Sequence, residues 1–258
     1  MQIHLVQALL SVCTCLLLNV FPARADIVTL LPGIKPAIVG VGTFHPLAAP
    51  RVRLMGTGFV VADGRHVITN AHVLPSIMQE EKGESLAVFI RDGAEVRTRK
   101  AEVAARDVEH DLALLRLEGT PLPALRLGRF SDVREGQVYY FTGFPVGAAL
   151  GLYPATHRAG LAAIAPIYSP PSSVKKLTPK LIRQADDPFL MFQLDAVAYP
   201  GNSGSPLYDG ETGEVIGVIN AVFVKGAKEN ALKDPTGITY AIPSRYVRTL
   251  IEQADLKP

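Results

Sequence analysis

The sequence contains no tryptophan and only two cysteines, Cys13 and Cys15. Both lie within the first fifteen residues, so the remainder of the chain has no thiols with which to form a disulfide. Lys and Arg number 26 against 24 Asp and Glu, a net charge of +2. This balance lacks the basic excess of a nucleic-acid or polyanion binder. Apolar residues make up 48% of the 258 positions, which argues against an intrinsically disordered chain.

Long apolar runs are also scarce, because only Leu5 to Phe21 approaches membrane-spanning length. Ala23-Arg24-Ala25 follows this run, and the combination predicts a signal peptide over residues 1–25, cleaved before Asp26. The segment before the run has no Lys or Arg, so an uncleaved signal anchor or a buried helix is the alternative. Cleavage would leave 233 residues without cysteine and without a stable membrane span. We therefore expect an exported protein, periplasmic or secreted, that is stabilised by its core.

Short apolar or alternating runs recur through the rest of the chain and are separated by Gly, Pro and Asp turns. Their length and β-branched content predict strands, and one stretch, Ser244 to Ala254, predicts a helix with Ser244 as its N-cap. We therefore expect an all-β sandwich or barrel with a C-terminal helix. Pro166–Pro188 is predicted to be a long surface loop. The predicted strands are Ile38–Phe44, Gly58–Val61, His66–Thr69, Leu86–Ile90, Leu112–Leu117, Val138–Phe141, Leu190–Leu194, Val215–Val224 and Ile238–Ile242.

Three polar residues stand at predicted strand ends. His72 lies in "VITNAHVL", Asp111 in "EHDLALLRL" and Ser203 in "YPGNSGSPLYD". Taken alone, each segment has an ordinary structural explanation. His72 could be a structural histidine, the Asp111 segment a strand entry and the Ser203 segment a glycine-rich turn. Their order and their placement in an all-β chain indicate a possible Ser-His-Asp triad.

These segments and several others resemble the chymotrypsin-fold, or trypsin-like, serine proteases, in particular the HtrA (DegP-like) branch. The similarity covers roughly residues 37 to 253 and implies two six-stranded antiparallel β-barrels. The first barrel would span about 37–125 and the second about 135–243, with a helix over 244–254, all within a protease domain over 26–258. The matching segments are "GTGFVV" (56–61), "TNAHV" (69–73), "RDVEHDLALLRL" (106–117), "GFPVG" (143–147), "QLDAVAYPGNSGSPL" (193–207), "GEVIGVINA" (213–221) and "GITYAIPS" (237–244).

The resemblance implies a role for each site residue. Ser203 would be the nucleophile, His72 its general base and Asp111 the group that orients His72. The backbone N–H groups of Gly201 and Ser203 would form the oxyanion hole. Asn202 is neutral and could not pair with a newly formed N-terminus, so we expect activity to be independent of a free amine at residue 26.

A substrate pocket is also implied by the resemblance. It would be lined by Ala196, Val197 and Ala198 and by Asn220, Ala221 and Val222. Val197 stands where trypsin-like enzymes carry an Asp, so Arg and Lys should not be selected. We expect small or medium aliphatic residues before the scissile bond and no Glu specificity.

Other polar residues are not expected to join the site. His110 adjoins Asp111, but neighbours on a strand point to opposite faces, and His66 is expected to face solvent. A metal site formed by His66 and His72 would lack a carboxylate or any third ligand, and no phosphate-binding loop is present, so we expect no metal and no cofactor.

Two features depart from the HtrA pattern. Ser205 replaces a Gly, which should not impair catalysis. The chain ends at Pro258, soon after Ser244, so we expect no PDZ domain. The short segment before the first barrel leaves the oligomer open between monomer and trimer.

Two functions from different classes are consistent with the sequence. The first is an exported serine endopeptidase acting on unfolded or exported polypeptides, without nucleic-acid partners. The alternative is a protease-fold binding or chaperone module with little turnover.

Overall fold

The computed structural model describes residues 26–76, 83–93, 95–146, 151–166, 188–221 and 237–258. The predicted signal peptide, residues 1–25, lies outside the described residues. So do Val222 and most of the predicted Pro166–Pro188 loop.

Twelve strands and two helices make up the described part of the chain. Helix α1 spans Ile27–Ile34 and helix α2 spans Ser244–Gln253. The strands are β1 Ile38–Phe44, β2 Val52–Val61, β3 His66–Asn70, β4 Ser85–Asp92, β5 Glu95–Asp107, β6 Leu112–Leu117, β7 Val138–Gly143, β8 Ala155–Pro166, β9 Leu190–Asp195, β10 Pro206–Asp209, β11 Val215–Asn220 and β12 Ile238–Pro243.

The strands form two closed antiparallel barrels of six strands each. Their orders are β1-β2-β3-β6-β5-β4 and β7-β8-β9-β12-β11-β10. Closure pairs every strand on both edges, so neither barrel exposes a free edge. Each barrel encloses its own packed apolar interior, which includes Phe59 and Leu114 in the first and Phe141 and Phe192 in the second. The predicted pair of six-stranded barrels is confirmed.

The sequence patterns missed three strands, β5, β8 and β10. Strand β5 is thirteen residues long and mostly exposed, so it lacks the apolar alternation that marks a half-buried strand. Its backbone nevertheless pairs with β4 on one side and β6 on the other. Strand β10 has only four residues and follows the glycine-rich Ser203 loop. Barrel closure, rather than local pattern, makes these segments strands.

Helix α1 was not predicted either. It contains Pro32, which weakens any helical pattern in the sequence. Asp26 caps its first turn by accepting a hydrogen bond from Val28 N at 3.3 Å. Ile34 is buried at the end of the helix, which fixes the entry of the chain into the first barrel.

Helix α2 begins at Ser244 itself, with Pro243 in the cap position. The prediction that Ser244 caps the helix is wrong, because the Ser244 hydroxyl instead donates to Gly128 O at 3.2 Å. Val247, Leu250 and Ile251 form the buried face of the helix. This face packs on β5 and β6 of the first barrel and on β11 and β12 of the second, so α2 bridges the two barrels.

Within the described ranges, no helix combines the length and the apolar character needed to cross a bilayer.

Candidate active site

His72 and Asp111 meet at one end of the first barrel. Strand β3 ends at Asn70, and a short 3-10 turn over Ala71–Val73 presents His72. His72 Nδ1 lies 2.6 Å from Asp111 Oδ2, and the His72 backbone N–H donates to Asp111 Oδ1 at 2.9 Å. The two side chains are 25% and 27% exposed. The carboxylate therefore holds both the ring and the backbone of His72 at the edge of the barrel.

Asp111 occupies a backbone conformation that is uncommon for a residue with a side chain. Its φ is +53°, in the left-handed region that Asp tolerates better than most residues. Its carbonyl oxygen accepts hydrogen bonds from Ala71 N and from Asn70 Nδ2, both at 3.1 Å. These contacts tie the loop that carries Asp111 to the turn that carries His72.

Asn220 contacts Asp111 from the second barrel. Its Nδ2 donates to Asp111 Oδ2 at 2.8 Å, and the residue is 3% exposed. Sequence reasoning had given Asn220 only a place in the substrate pocket and missed this contact. The sequence does show that Asn220 is a polar residue at the end of a buried strand, β11. A local pattern, however, cannot indicate a hydrogen-bond partner in the other barrel.

The Ser203 loop begins with a turn in which Asn202 N donates to Tyr199 O at 3.0 Å. Gly201 has a φ of +100°, which a residue with a side chain would adopt only under strain. The Pro200 carbonyl accepts a hydrogen bond from Val146 N at 2.8 Å. Because a trans peptide is planar, the Gly201 N–H points away from Val146. Among the described residues, no hydrogen bond uses the backbone N–H of Gly201 or of Ser203.

Thr57, on strand β2, fastens the Ser203 loop to the first barrel. Its backbone N–H donates to Ser203 O at 2.8 Å. Its hydroxyl donates to Gly201 O at 2.6 Å and accepts from Phe144 N at 3.1 Å. Thr57 is fully buried, so these bonds form away from competing water.

Gly56, next to Thr57, lets the His72 turn and the Ser203 loop approach each other. A Cβ atom at Gly56 would lie 2.7 Å from Val73 Cγ2 and 3.0 Å from Ser203 O. The backbone at Gly56 is therefore in close contact with the neighbour of His72 on one side and with Ser203 on the other. All three candidate triad residues thus come from segments that converge on the same junction between the barrels.

The segment Ala196–Ala198 is held in place by Thr239 on β12. The Thr239 hydroxyl donates to Ala196 O at 2.8 Å and accepts from Ala198 N at 2.9 Å. Ala196 and Ala198 pack against the interior of the second barrel, and Val197 between them is partly buried. Ala221 follows β11 directly, and Val222 lies outside the described residues.

Ser205 fits against a glycine of the second barrel. A Cβ atom at Gly143 would lie 2.0 Å from Ser205 Oγ, so Gly143 provides the space that this serine occupies. Ser205 is fully buried, and no residue in the described ranges hydrogen-bonds to its hydroxyl.

The expectation that His66 faces solvent is wrong. His66 is 8% exposed, and its Nδ1 lies 2.8 Å from Asp63 Oδ1 in the turn before β3. Burial alone would raise the pKa of Asp63, but hydrogen bonds from His66 and the backbone of Arg65 lower it below its ordinary value. The pair therefore fixes the hairpin turn over residues 62–65, which joins β2 to β3.

The expectation that His110 and Asp111 are neighbours on a strand is wrong. His110 lies in the loop between β5 and β6, where its Nδ1 is 2.6 Å from Asp107 Oδ2.

Two closed six-stranded barrels that bring together a His–Asp pair and a serine loop define the class of chymotrypsin-like proteins. The family model of the trypsin-like peptidase domain matches residues 56–218, and the chain belongs to this family.

Named relatives place the chain near the HtrA serine proteases. It is 31% identical to human "Serine protease HTRA3" over 86% of this chain and 44% of that protein. It is 30% identical to "Probable periplasmic serine endoprotease DegP-like" from Halomonas elongata over 78% of this chain and 35% of that protein. The chain thus spans less than half the length of these relatives.

A solved HtrA-type protease, AlgW, determined with a tripeptide, has the same fold. Its TM-score is 0.61, at 24% identity over 89% of this chain and 63% of that chain.

Proposed function

We propose that this chain is a serine endopeptidase that hydrolyses peptide bonds with Ser203, His72 and Asp111. The observation that carries the proposal is the two-point contact of Asp111 with His72, at 2.6 Å to the ring and 2.9 Å to the backbone. A carboxylate bound to Nδ1 leaves Nε2 as the ring atom that can accept a proton. Membership of the trypsin-like peptidase family supports the same reading.

In the proposed reaction, His72 Nε2 takes the Ser203 Oγ proton as Oγ attacks the scissile carbonyl carbon. The resulting imidazolium is stabilised by Asp111 and then gives its proton to the leaving amine as the C–N bond breaks. This leaves an acyl group on Ser203. A water molecule, deprotonated by His72, then hydrolyses the ester and returns Ser203 to its starting state.

The backbone N–H groups of Gly201 and Ser203 would stabilise the oxyanion formed in both steps. Their availability supports this role, because neither donates a hydrogen bond within the described residues. The bond from Thr57 to Gly201 O at 2.6 Å would keep the loop in place without reorganisation during the reaction.

The proposed specificity is for small or medium aliphatic residues before the scissile bond. Ala196, Val197 and Ala198 line one side of the proposed pocket and carry no charge. Asn220, Ala221 and Val222 would line the other side. An uncharged wall gives Arg, Lys or Glu no counter-charge and makes their desolvation unfavourable. Mass spectrometry of the peptides released from casein would report this preference directly.

Export is proposed from the apolar N-terminal segment and from similarity to a relative named as periplasmic. The proposed substrates are accordingly unfolded or exported polypeptides. The intact mass of the protein recovered after expression with residues 1–25 would reveal whether cleavage occurs before Asp26.

The decisive experiment treats the protein with a fluorophosphonate probe and with casein. We expect wild type to be labelled and to cleave casein, and Ser203→Ala to do neither. Removing the nucleophile or base of such a triad lowers kcat by roughly 10⁶-fold. Ser205→Ala is the matched control, because this serine lies two residues away and should leave labelling intact.

Absence of Ser203-dependent labelling and cleavage in a folded wild-type protein would reject the endopeptidase. That result would favour the alternative of a protease-fold binding or chaperone module. Suppression of the aggregation of an unfolded client protein by Ser203→Ala would then be the activity to measure.

A further inference from the structure

A second Asp–His pair lies beside the candidate active site. The backbone N–H of His110 donates to Asp107 Oδ1 at 3.0 Å, and His110 Nδ1 lies 2.6 Å from Asp107 Oδ2. Asp111 contacts His72 in the same two-point manner. The side chains of His110 and Asp107 are 23% and 21% exposed, so the pair is mostly shielded from water.

This pair closes the loop that delivers Asp111. Strand β5 ends at Asp107, strand β6 begins at Leu112, and these two residues are paired across the hairpin. Only four residues connect them, and the last, Asp111, has a φ of +53°. The conformation of so short a loop determines the direction of the Asp111 carboxylate, because there is little other freedom in the connection.

His110 is also held from the side of the second barrel. Its ring stacks on Tyr246 of α2 at a centroid distance of 4.1 Å and an angle of 20°. Phe189, just before β9, meets the same ring edge-on at 4.8 Å. The Tyr246 hydroxyl accepts a hydrogen bond from Leu190 N at 3.0 Å. His110 therefore connects the Asp111 loop to two elements outside the first barrel.

We propose that His110 and Asp107 form a positioning pair that fixes the loop over residues 108–111 and keeps the Asp111 carboxylate on His72. Neither residue contacts the reacting atoms. The bond between His110 Nδ1 and Asp107 supplies the fixation, and the stack on Tyr246 limits the rotation of the ring. The kinetic consequence of the proposal rests on the endopeptidase function proposed above.

Two substitutions separate the hydrogen bond from the aromatic stack. His110→Phe keeps a ring against Tyr246 but removes the donor to Asp107. His110→Asn removes the ring but places an amide N–H where Nδ1 stands. We expect His110→Phe to lower kcat by about 10- to 100-fold with KM unchanged, since small displacements of a catalytic group have effects of this size. We expect His110→Asn to restore most of the lost kcat.

The chain offers a matched control in the Asp63–His66 pair. It has the same spacing in sequence and the same Nδ1–carboxylate contact, at 2.8 Å, but it lies at the opposite end of β3 from His72. We expect His66→Phe to lower thermal stability and to leave kcat unchanged. If His110→Phe does not fold, Asp107→Asn, which cannot accept both N–H groups, replaces it.

A second readout does not require turnover. In the folded protein, the downfield proton resonance of His72 Nδ1–H reports its contact with Asp111. We expect this resonance to broaden or vanish in His110→Phe and to persist in His110→Asn and His66→Phe. If wild type lacks activity but the resonance follows this pattern, the endopeptidase fails and the positioning pair stands.

Three results would overturn the positioning pair: wild-type kcat and resonance in a folded His110→Phe, equal losses of kcat in His110→Phe and His110→Asn, or a similar loss in His66→Phe.

Discussion

Ser205 occupies a buried position that leaves its hydroxyl without a partner among the described residues. A buried hydroxyl without a hydrogen bond is unfavourable by about 1–3 kcal/mol. The chain accommodates the bulk of the side chain through Gly143, which has no Cβ atom to clash with Ser205 Oγ. Packing and polarity therefore conflict at this residue: the volume is matched, but the oxygen is not satisfied.

We expect Ser205→Ala to leave the free energy of unfolding unchanged or to raise it by up to about 1 kcal/mol, because it removes only an unsatisfied group. Urea denaturation of the two proteins measures this difference. As a contrasting variant, Gly143→Ala should be strongly destabilised by its contact with Ser205 Oγ. A loss of more than 1 kcal/mol in Ser205→Ala would mean that the hydroxyl makes a favourable interaction in the folded protein.

At the scale of elements, helix α2 follows the second barrel in sequence but packs on both barrels. Its buried face inserts Val247, Leu250 and Ile251 into a core that also contains Leu112 and Leu114 of the first barrel. Tyr246, in the first turn of the same helix, stacks on His110 beside the candidate active site. The helix thus connects the stability of the fold with the loop that carries Asp111.

We expect Leu250→Ala to lower the free energy of unfolding by about 2–5 kcal/mol, the usual range for a buried leucine whose site cannot collapse. Leu250 is 1% exposed. Glu252→Ala, on the exposed side of the same helix, should change stability by less than about 0.5 kcal/mol. Equal stability of the two variants in chemical denaturation would show that the helix packs only loosely on the barrels.

The patterns located nine strands because each carries apolar residues into a barrel interior, although the predicted Gly58–Val61 covers only the last four of the ten residues of β2. Strands β1 and β6 were predicted with their observed limits, since their apolar runs end sharply at polar turns. Strand β5 was missed because its side chains are mostly polar and exposed and show no alternation of apolar and polar residues. Helix α1 was missed because it is only eight residues long and contains Pro32, which weakens a helical pattern.

At the scale of the whole molecule, Thr57 couples the two barrels at the candidate site. Its backbone N–H binds Ser203 O, and its hydroxyl binds both Gly201 O and Phe144 N. All three of these partners belong to the second half of the chain. The arrangement of the Ser203 loop therefore depends on the first barrel as well as on the second.

We expect Thr57→Val to lower kcat by about 10- to 100-fold, because the Gly201 peptide loses its anchor and a misplaced oxyanion donor is costly. We expect a parallel stability loss of about 1–3 kcal/mol for each polar group left unpaired. Thr57→Ser keeps the hydroxyl and should retain most of the activity. Kinetics on a peptide substrate and denaturation curves measure both effects.

Thr142→Val serves as the control for the loss of a buried hydroxyl. Thr142 is fully buried, and its hydroxyl lies 2.7 Å from the Tyr208 hydroxyl. Its substitution should reduce stability without lowering kcat. Equal kcat values for Thr57→Val and wild type would contradict the anchoring role of Thr57.

The sequence by itself determined the class of fold and the three candidate triad residues. Alternating apolar runs define barrel strands, and His72, Asp111 and Ser203 lie in recognisable local motifs at strand ends. Only the tertiary structure decided which residues support them. Asn220 lies 109 residues from Asp111 along the chain yet binds its carboxylate, and Thr57 lies 144 residues from Gly201. Local patterns indicate which face of a strand is buried. Hydrogen-bond partners that are distant in the sequence are brought together only when each barrel closes and one barrel packs on the other.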